Sequence, residues 1–338
     1  MYAIGVDIGG TKIAAGVVDD DGRILGQLRR QTDPERPGEI ERAVVELVAE
    51  LRKDFTVSAV GVAAAGFVAD DRATVLFAPN IAWRDYPLRD RLAPFIDIPV
   101  VVENDANAAG WAEYRFGSGR GVTDMVMLTV GTGLGGAIVV NSTLLRGAHG
   151  VAAEIGHIRV VPDGHMCGCG HAGCWEQYAS GGALTRQARA AAVAYPHRAT
   201  ALLELAGGNP KKIKGPHVTH VARQGDPLGI ELLAELGTWL GAGTADVVAI
   251  LDPAIVVIGG GVCAAGDLLL DPVREAFGNA LSARGHRPEP RIMLATMQND
   301  AGLVGAADLA RTPDTRERES GDPVQAGLAR TAIRTTDS

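Results

Sequence analysis

The sequence predicts an α/β protein built from two related halves. Short runs of aliphatic and β-branched residues alternate with stretches whose apolar positions recur at helical spacing. One design also occurs twice. VDIGGTKIAAGVV, beginning at Val6, and LTVGTGLGGAIVV, beginning at Leu128, are each a β-rich run, a glycine turn and a second β-rich run.

In order, Tyr2 to Asp7 is β-rich, Gly9 and Gly10 mark a turn, and Ile13 to Val18 is apolar again before Asp19, Asp20, Asp21 and Gly22. This reads as a hairpin, not as a strand followed by a helix. Ile40, Ala43, Val44, Leu47, Val48 and Leu51 repeat at helical spacing, and Val57 to Ala65 returns to a buried strand that ends at Gly66. Ile98 to Val102 is a third buried strand, followed by a helix over Asn104 to Tyr114. The second half has a strand over Asp124 to Val130, a glycine turn over Gly131 to Gly136 and a strand over Ala137 to Val140. Irregular Gly/His/Cys-rich sequence runs to about Gly173, then helical segments cover Leu184 to Ala194 and Leu228 to Val248. The strand Ile255 to Ile258 runs into Gly259, Gly260 and Gly261. Residues 312–338, with the polar stretch TPDTRERESGDPVQ, are expected to form a disordered tail.

A chain of 338 residues, 46% hydrophobic and 21% charged, has the length of about two domains. The N-terminal MYAIGVDIGG lacks a basic leader region, and the apolar stretch near Ile250 to Ile258 is broken by Asp252 and Pro253. A soluble, cytoplasmic protein is expected. A net charge of −8 with no Lys/Arg block argues against nucleic-acid and membrane partners and for small molecules. Four cysteines are too few for a disulfide framework, so a cluster of them reads as metal-binding or catalytic.

GTGLGG satisfies the dinucleotide pattern literally, but a dinucleotide turn must open a helix and here the β-branched AIVV follows. No G-x-x-x-x-G-K-[ST] loop is present. Two glycine hairpins remain, whose side-chain-free turns let backbone N–H groups approach phosphate oxygens. Asp7, at the end of the first strand, is placed to hold a magnesium ion directly or through water. In VVVENDANAAGWAEY, Glu103, Asn104 and Asp105 sit where a strand gives way to a helix. One of them serves as an ordinary N-cap, yet three polar residues exceed what a cap needs. A carboxylate there is expected to stay ionised, as a base accepting a hydroxyl proton must be.

In CGCGHAGCWEQ, Cys167, Cys169 and Cys174 supply three thiolates, and tetrahedral zinc needs a fourth ligand. Cys263 lies in a distant turn. His157 of HGVAAEIGHI is favoured, with His165 and His171 as competitors, and free buried cysteines are the plain alternative. Glu154 and Glu176 flank this cluster.

DIGGTK, GTGLGG, END, EIGH and C-G-C-G-x-x-G-C-W-E together resemble the ROK family of repressors and sugar kinases, over Tyr2 to about Leu309. FAPNIAWRDYPL, VVVENDANAAGWAEYRFGSG and GCWEQYASG are similar to the glucokinases of high-GC Gram-positive bacteria within it. The resemblance implies an actin-like ATPase fold of duplicated ribonuclease-H-like halves, with sugar and ATP meeting in an interdomain cleft. The domains would be 1–115, rejoined by a helix over 301–311, and 116–300, which holds the zinc site. Asp7, Gly9, Gly10, Thr11, Lys12, Thr132 and Gly133 would surround the ATP phosphates, and Gly259, Gly260 and Gly261 would lie near adenosine. Asp105 would be the general base, and Gly66, Asn104, Asp105, Glu154, His157 and Glu176 would bind the sugar. Cys167, Cys169, Cys174 and His157 would hold a structural zinc. The implied reaction is MgATP-dependent phosphorylation of glucose at its 6-hydroxyl, with another hexose, an N-acetylhexosamine or a polyphosphate donor as alternatives. A homodimer or homotetramer is implied too. A DNA-binding regulator is disfavoured because the first hairpin starts at Tyr2, leaving no room for a preceding module.

Overall fold

The aliphatic run at the start of the chain forms β1 (Ala3–Ile8), which pairs antiparallel with β2 (Lys12–Val18), as β2 does with β3 (Ile24–Gln31). This structure, a computed structural model, describes residues 1–10 and 12–311. Thr11, expected beside the phosphates, and the tail over 312–338 lie outside the described residues. α1 (Pro37–Leu51) carries Pro in its first turn and buries Ile40, Ala43, Val44, Leu47, Val48 and Leu51, the positions whose spacing predicts it. β4 (Val60–Ala64) lies parallel to β1. A small antiparallel sheet of β5 (Phe67–Val68), β6 (Val75–Phe77) and β7 (Arg84–Tyr86) follows. Then α2 (Leu88–Leu92) leads to β8 (Val100–Asn104), parallel to β4, and to α3 (Asp105–Phe116).

The second half repeats the plan. β9 (Met125–Val130) pairs antiparallel with β10 (Leu134–Val140), and β10 with β11 (Thr143–Leu144). A helical block follows: α4 (Gly181–Ala194), α5 (Thr200–Leu205), α6 (Gly215–Arg223) and α7 (Pro227–Leu251). β12 (Ile255–Gly259) then joins β9 in parallel, α8 (Asp267–Ala280) crosses over, β13 (Arg291–Leu294) joins β12 in parallel, and α9 (Ala301–Arg311) closes the described chain.

The sheets run β3-β2-β1-β4-β8 and β11-β10-β9-β12-β13, the same order with the same strand directions. Each packs its own large core. This is the duplicated, ribonuclease-H-like architecture of an actin-like ATPase, two domains flanking a cleft. α9 lies directly on the first sheet, because a Cβ at Gly5 would come within 1.8 Å of the Leu303 carbonyl oxygen and one at Gly61 within 1.8 Å of that of Ala306. Among the described residues no helix is long and apolar enough to cross a membrane.

Several elements differ from the sequence reading. β3 and the small sheet β5–β7 carry no predicted strand: ILGQLRRQ is largely exposed and lacks alternation, and the small sheet's strands are too short for a period. β8 starts at Val100, not Ile98, because Pro99 has no N–H to give to the ladder. Asn104 is the last residue of that strand, with φ −63° and ψ 143°, and caps α3 instead of opening it. α4 begins at Gly181, capped by Ser180, whose hydroxyl accepts from the Ala183 N–H at 3.1 Å.

Candidate active site

The strand-to-helix junction at Asn104 and Asp105 sits beside the first hairpin, because β8, β4 and β1 are successive neighbours in one sheet. The Asn104 side chain is used at both ends: Oδ1 accepts from the Asn107 N–H at 2.9 Å, and Nδ2 donates to the Gly66 carbonyl oxygen at 2.9 Å. Gly66 thus orients Asn104, and it must be glycine-sized, since a Cβ would come within 2.5 Å of the Phe77 carbonyl oxygen. Glu103 faces away from the ligand role. It accepts from Arg146 Nε at 2.7 Å and from Asn107 Nδ2 at 3.1 Å, a buried ionic anchor beneath the junction.

Asp105 Oδ1 accepts from the Ala106 N–H at 2.9 Å, and the residue is partly buried. Burial, then the negative charge of Asp7, raises its pKa from 3.8 to about 6. Desolvation outweighs the backbone donors at the helix N-terminus. The group is still mostly ionised at neutral pH. Asp7 is itself raised to about 6, chiefly by burial, with Lys12 opposing and Asp300 adding to the shift. Glu154 is raised to about 7 by burial and by the charges of Asp105 and Glu176. Asp7, Asp105, Glu154 and Glu176 therefore form one chain of mutually repelling carboxylates, joined from four separate parts of the sequence.

Two cavities adjoin each other, and of the four carboxylates Glu176 borders the larger. The larger, about 970 Å³, is bordered by Thr132, Gly133, His157 and Glu176 and by an outer wall that includes Phe77 and Asn80. The smaller, about 610 Å³, is bordered by Gly131, Thr132, Gly181 and Gly261. Backbone bonds tie the second hairpin turn to the start of α4, Gly181 N–H to Gly131 O at 2.8 Å and Gly182 N–H to Thr132 O at 3.1 Å. Of the triple glycine after β12, only Gly261 borders the cavity. Gly259 lies against Met127, and Gly260, with φ 94°, lets the chain turn within reach of Val130. In the first hairpin, Gly9 N–H closes the turn on Lys12 O at 3.0 Å. Gly10 lies near Asn80, and Lys12 is exposed and borders neither cavity. Asn80 was missed by the sequence reading although it stands in FAPN; a lone Asn in an irregular stretch carries no periodic signal.

His157, Cys167, Cys169 and Cys174 bring their ligand atoms within 4.8 Å of one another, and His165 and His171 do not join them. His157 Nδ1 is 3.6 Å from Cys167 Sγ, and Cys169 Sγ is 3.5 Å from Cys174 Sγ. Tetrahedral zinc with Zn–S bonds of about 2.3 Å requires edges of roughly 3.5 to 3.8 Å, so the donor set and its spacing fit that ion. The loop is anchored from below by Trp175, whose Nε1–H donates to the Trp239 carbonyl oxygen at 2.9 Å and whose ring lies against Gly243. Magnesium fits at Asp7 on a different observation. Its carboxylate is largely desolvated and has no hydrogen-bond donor among the described residues.

The chain is similar to known proteins along nearly its whole length. It is 51% identical over 311 residues to a glucokinase of Streptomyces coelicolor, covering 92% of this chain and 98% of that one. It is 36% identical to a glucokinase of Thermotoga maritima, again covering 92% and 98%. Its fold matches the crystal structure of a ROK family glucokinase from Streptomyces griseus in complex with glucose and AMPPNP at a TM-score of 0.86 and 53% identity, covering 92% of this chain and 99% of that one. Streptomyces is a high-GC Gram-positive genus, the group to which the motifs point. The ROK family profile matches residues 3–313, and the chain belongs to the ROK family.

Proposed function

We propose that this protein is a glucokinase, transferring the γ-phosphoryl group of MgATP to the 6-hydroxyl of glucose. The observation that carries the reading is Asp105: a carboxylate at the strand-to-helix junction, coupled by mutual repulsion to Asp7 and Glu154, with its pKa raised to about 6 by burial and by Asp7. That value suits a general base working near neutral pH. The Streptomyces griseus relative, 53% identical, holds glucose and AMPPNP together.

Asp105 accepts the proton of the 6-hydroxyl as the oxygen attacks phosphorus. Asn104, held by Gly66 and its own helix, and Glu154, His157 and Glu176 orient the sugar, each carboxylate accepting from neighbouring hydroxyls. Backbone N–H groups of the turns at Gly9–Lys12 and Thr132–Gly133 cradle the phosphates, and Gly261 borders the adenosine. When bound, magnesium supplies charge neutralisation of the phosphates, and Asp7 would hold it. Phosphoryl transfer has a loose transition state, so alignment and charge account for most of the rate. Cys167, Cys169, Cys174 and His157 would hold zinc, and four protein ligands would give it a structural role. We divide the chain into domains 1–115 with 301–311 and 116–300, in a cytoplasmic homodimer or homotetramer.

A larger acceptor such as an N-acetylhexosamine is the second reading, favoured by the volume of about 970 Å³ and the apolar wall at Phe67, Phe77 and Pro79. A screen of purified protein against hexoses and N-acetylhexosamines, with ATP and polyphosphate as donors, decides. Glucose with ATP should give the highest kcat/KM, and a preference for another pair would overturn the proposal.

A further inference from the structure

The linings of the two cavities share Thr132, Gly182 and Arg186, and Arg186 is the one charged side chain common to both. It lies on α4, four residues after Gly182, and Gly182, Thr185, Arg186 and Arg189 step along one helix face that borders the smaller cavity. Its guanidinium is oriented from one side by Gln177: Nη1 donates to Gln177 Oε1 at 3.3 Å and Nη2 to the Gln177 carbonyl oxygen. Gln177 Nε2 in turn donates to Glu176 Oε1 at 3.3 Å. Nε makes no hydrogen bond among the described residues, which leaves that face of the fork for a ligand.

We infer that Arg186 contacts the β- and γ-phosphates of the bound nucleotide at the junction of the two cavities. The inference rests on the ATP-dependent reading above. A nucleotide with its base in the smaller cavity must pass its phosphates across this junction to reach a hydroxyl beside Asp105. Four carboxylates already crowd that end of the cleft, so each further phosphate charge there needs a cation. Lys12, at the start of β2, is exposed and borders neither cavity. A guanidinium matches phosphate oxygens with two parallel N–H donors, which an ammonium does not.

The test is a ladder of Mg²⁺-containing titrations with AMP, ADP and AMPPNP against wild type, Arg186→Gln and Arg186→Lys. Loss should grow with phosphate number in Arg186→Gln: AMP nearly unchanged, AMPPNP weakened roughly 10- to 100-fold, the usual worth of a hydrogen bond to a charged group. Arg186→Lys should recover part of the loss. Glucose KM and zinc content should stay at wild-type values, which a merely structural link through Gln177 to Glu176 would not allow. Equal weakening of all three nucleotides, or none, overturns the Arg186 assignment alone. A wild-type protein that binds none of them overturns the ATP-dependent reading and this inference with it.

Discussion

Gly133 faces the carboxylate of Glu176: a Cβ on Gly133 would lie 2.5 Å from Glu176 Oε2, the same oxygen that accepts from the Leu134 N–H at 3.4 Å. A turn proposed to bind phosphate and a carboxylate proposed to bind the sugar are thus in direct contact. In the first hairpin Gly10 has room, the nearest atom to a Cβ on it being Asn80 Cβ at 3.8 Å. The two turns read as equivalents in the sequence and are not equivalents in the fold. Gly10→Ala should raise the ATP KM and leave the glucose KM nearly unchanged, while Gly133→Ala should push Glu176 aside and raise both. Steady-state kinetics with each substrate varied would check this. A Gly133→Ala enzyme with wild-type glucose KM would show that Glu176 does not bind the sugar.

Asp105→Asn keeps the shape and the bond from the Ala106 N–H but removes the base. It should lower kcat by roughly 10² to 10⁴ with little change in glucose binding. The wild-type kcat/KM should fall as pH drops through about 6, where Asp105 takes up its proton. An acid limb that persists unchanged in the residual activity of Asp105→Asn would assign it to another group.

The same burial has a cost in stability. The folded pKa values of Asp7 and Asp105 lie at about 6, above the ordinary 3.8, so the folded protein holds protons that the unfolded chain releases between those values. Stability from these groups is therefore full below about pH 4 and is lost as pH rises through about 6. A two-unit shift corresponds to about 3 kcal/mol, so Asp105→Asn should stabilise the ligand-free protein by about 1 to 3 kcal/mol at pH 7.5. Thermal unfolding should show a higher Tm for the variant at pH 7.5 and only about a third of that gain at pH 4.5.

The duplication and the cysteine cluster were legible in the sequence because both are local: a glycine turn between β-rich runs, and Cys167, Cys169 and Cys174 within eight positions. The helix α1 was legible down to each buried residue for the same reason. What could not be read was electrostatic or non-local. The upward shifts at Asp105 and Glu154 come from burial and from carboxylates brought in by other elements, which no window of sequence contains. Glu103 looked like a third polar residue at the ligand end of a strand. It is an anchor for Arg146, a partner 43 positions away. Of Gly259, Gly260 and Gly261, read together as lying near adenosine, Gly261 borders the smaller cavity, while a Cβ on Gly259 or Gly260 would meet Met127 or Val130.

Zinc removal should act on the sugar side of the reaction. His157 turns Nδ1 to the cysteines, so its other ring nitrogen is free to meet a hydroxyl in the larger cavity that His157 borders. Cys167 Sγ is also 2.9 Å from Glu176 Oε1, so the cluster reaches a second proposed sugar contact directly. Trp175 ties the far side of the loop to α7 through its indole N–H, independently of any metal, so the fold of that helix should survive. Cys169→Ser should therefore lose zinc, keep its helical circular dichroism, and raise the glucose KM steeply with a smaller effect on the ATP KM. Metal analysis beside both KM values would check this. A folded, zinc-free Cys169→Ser protein with unchanged glucose KM would separate the cluster from the sugar site.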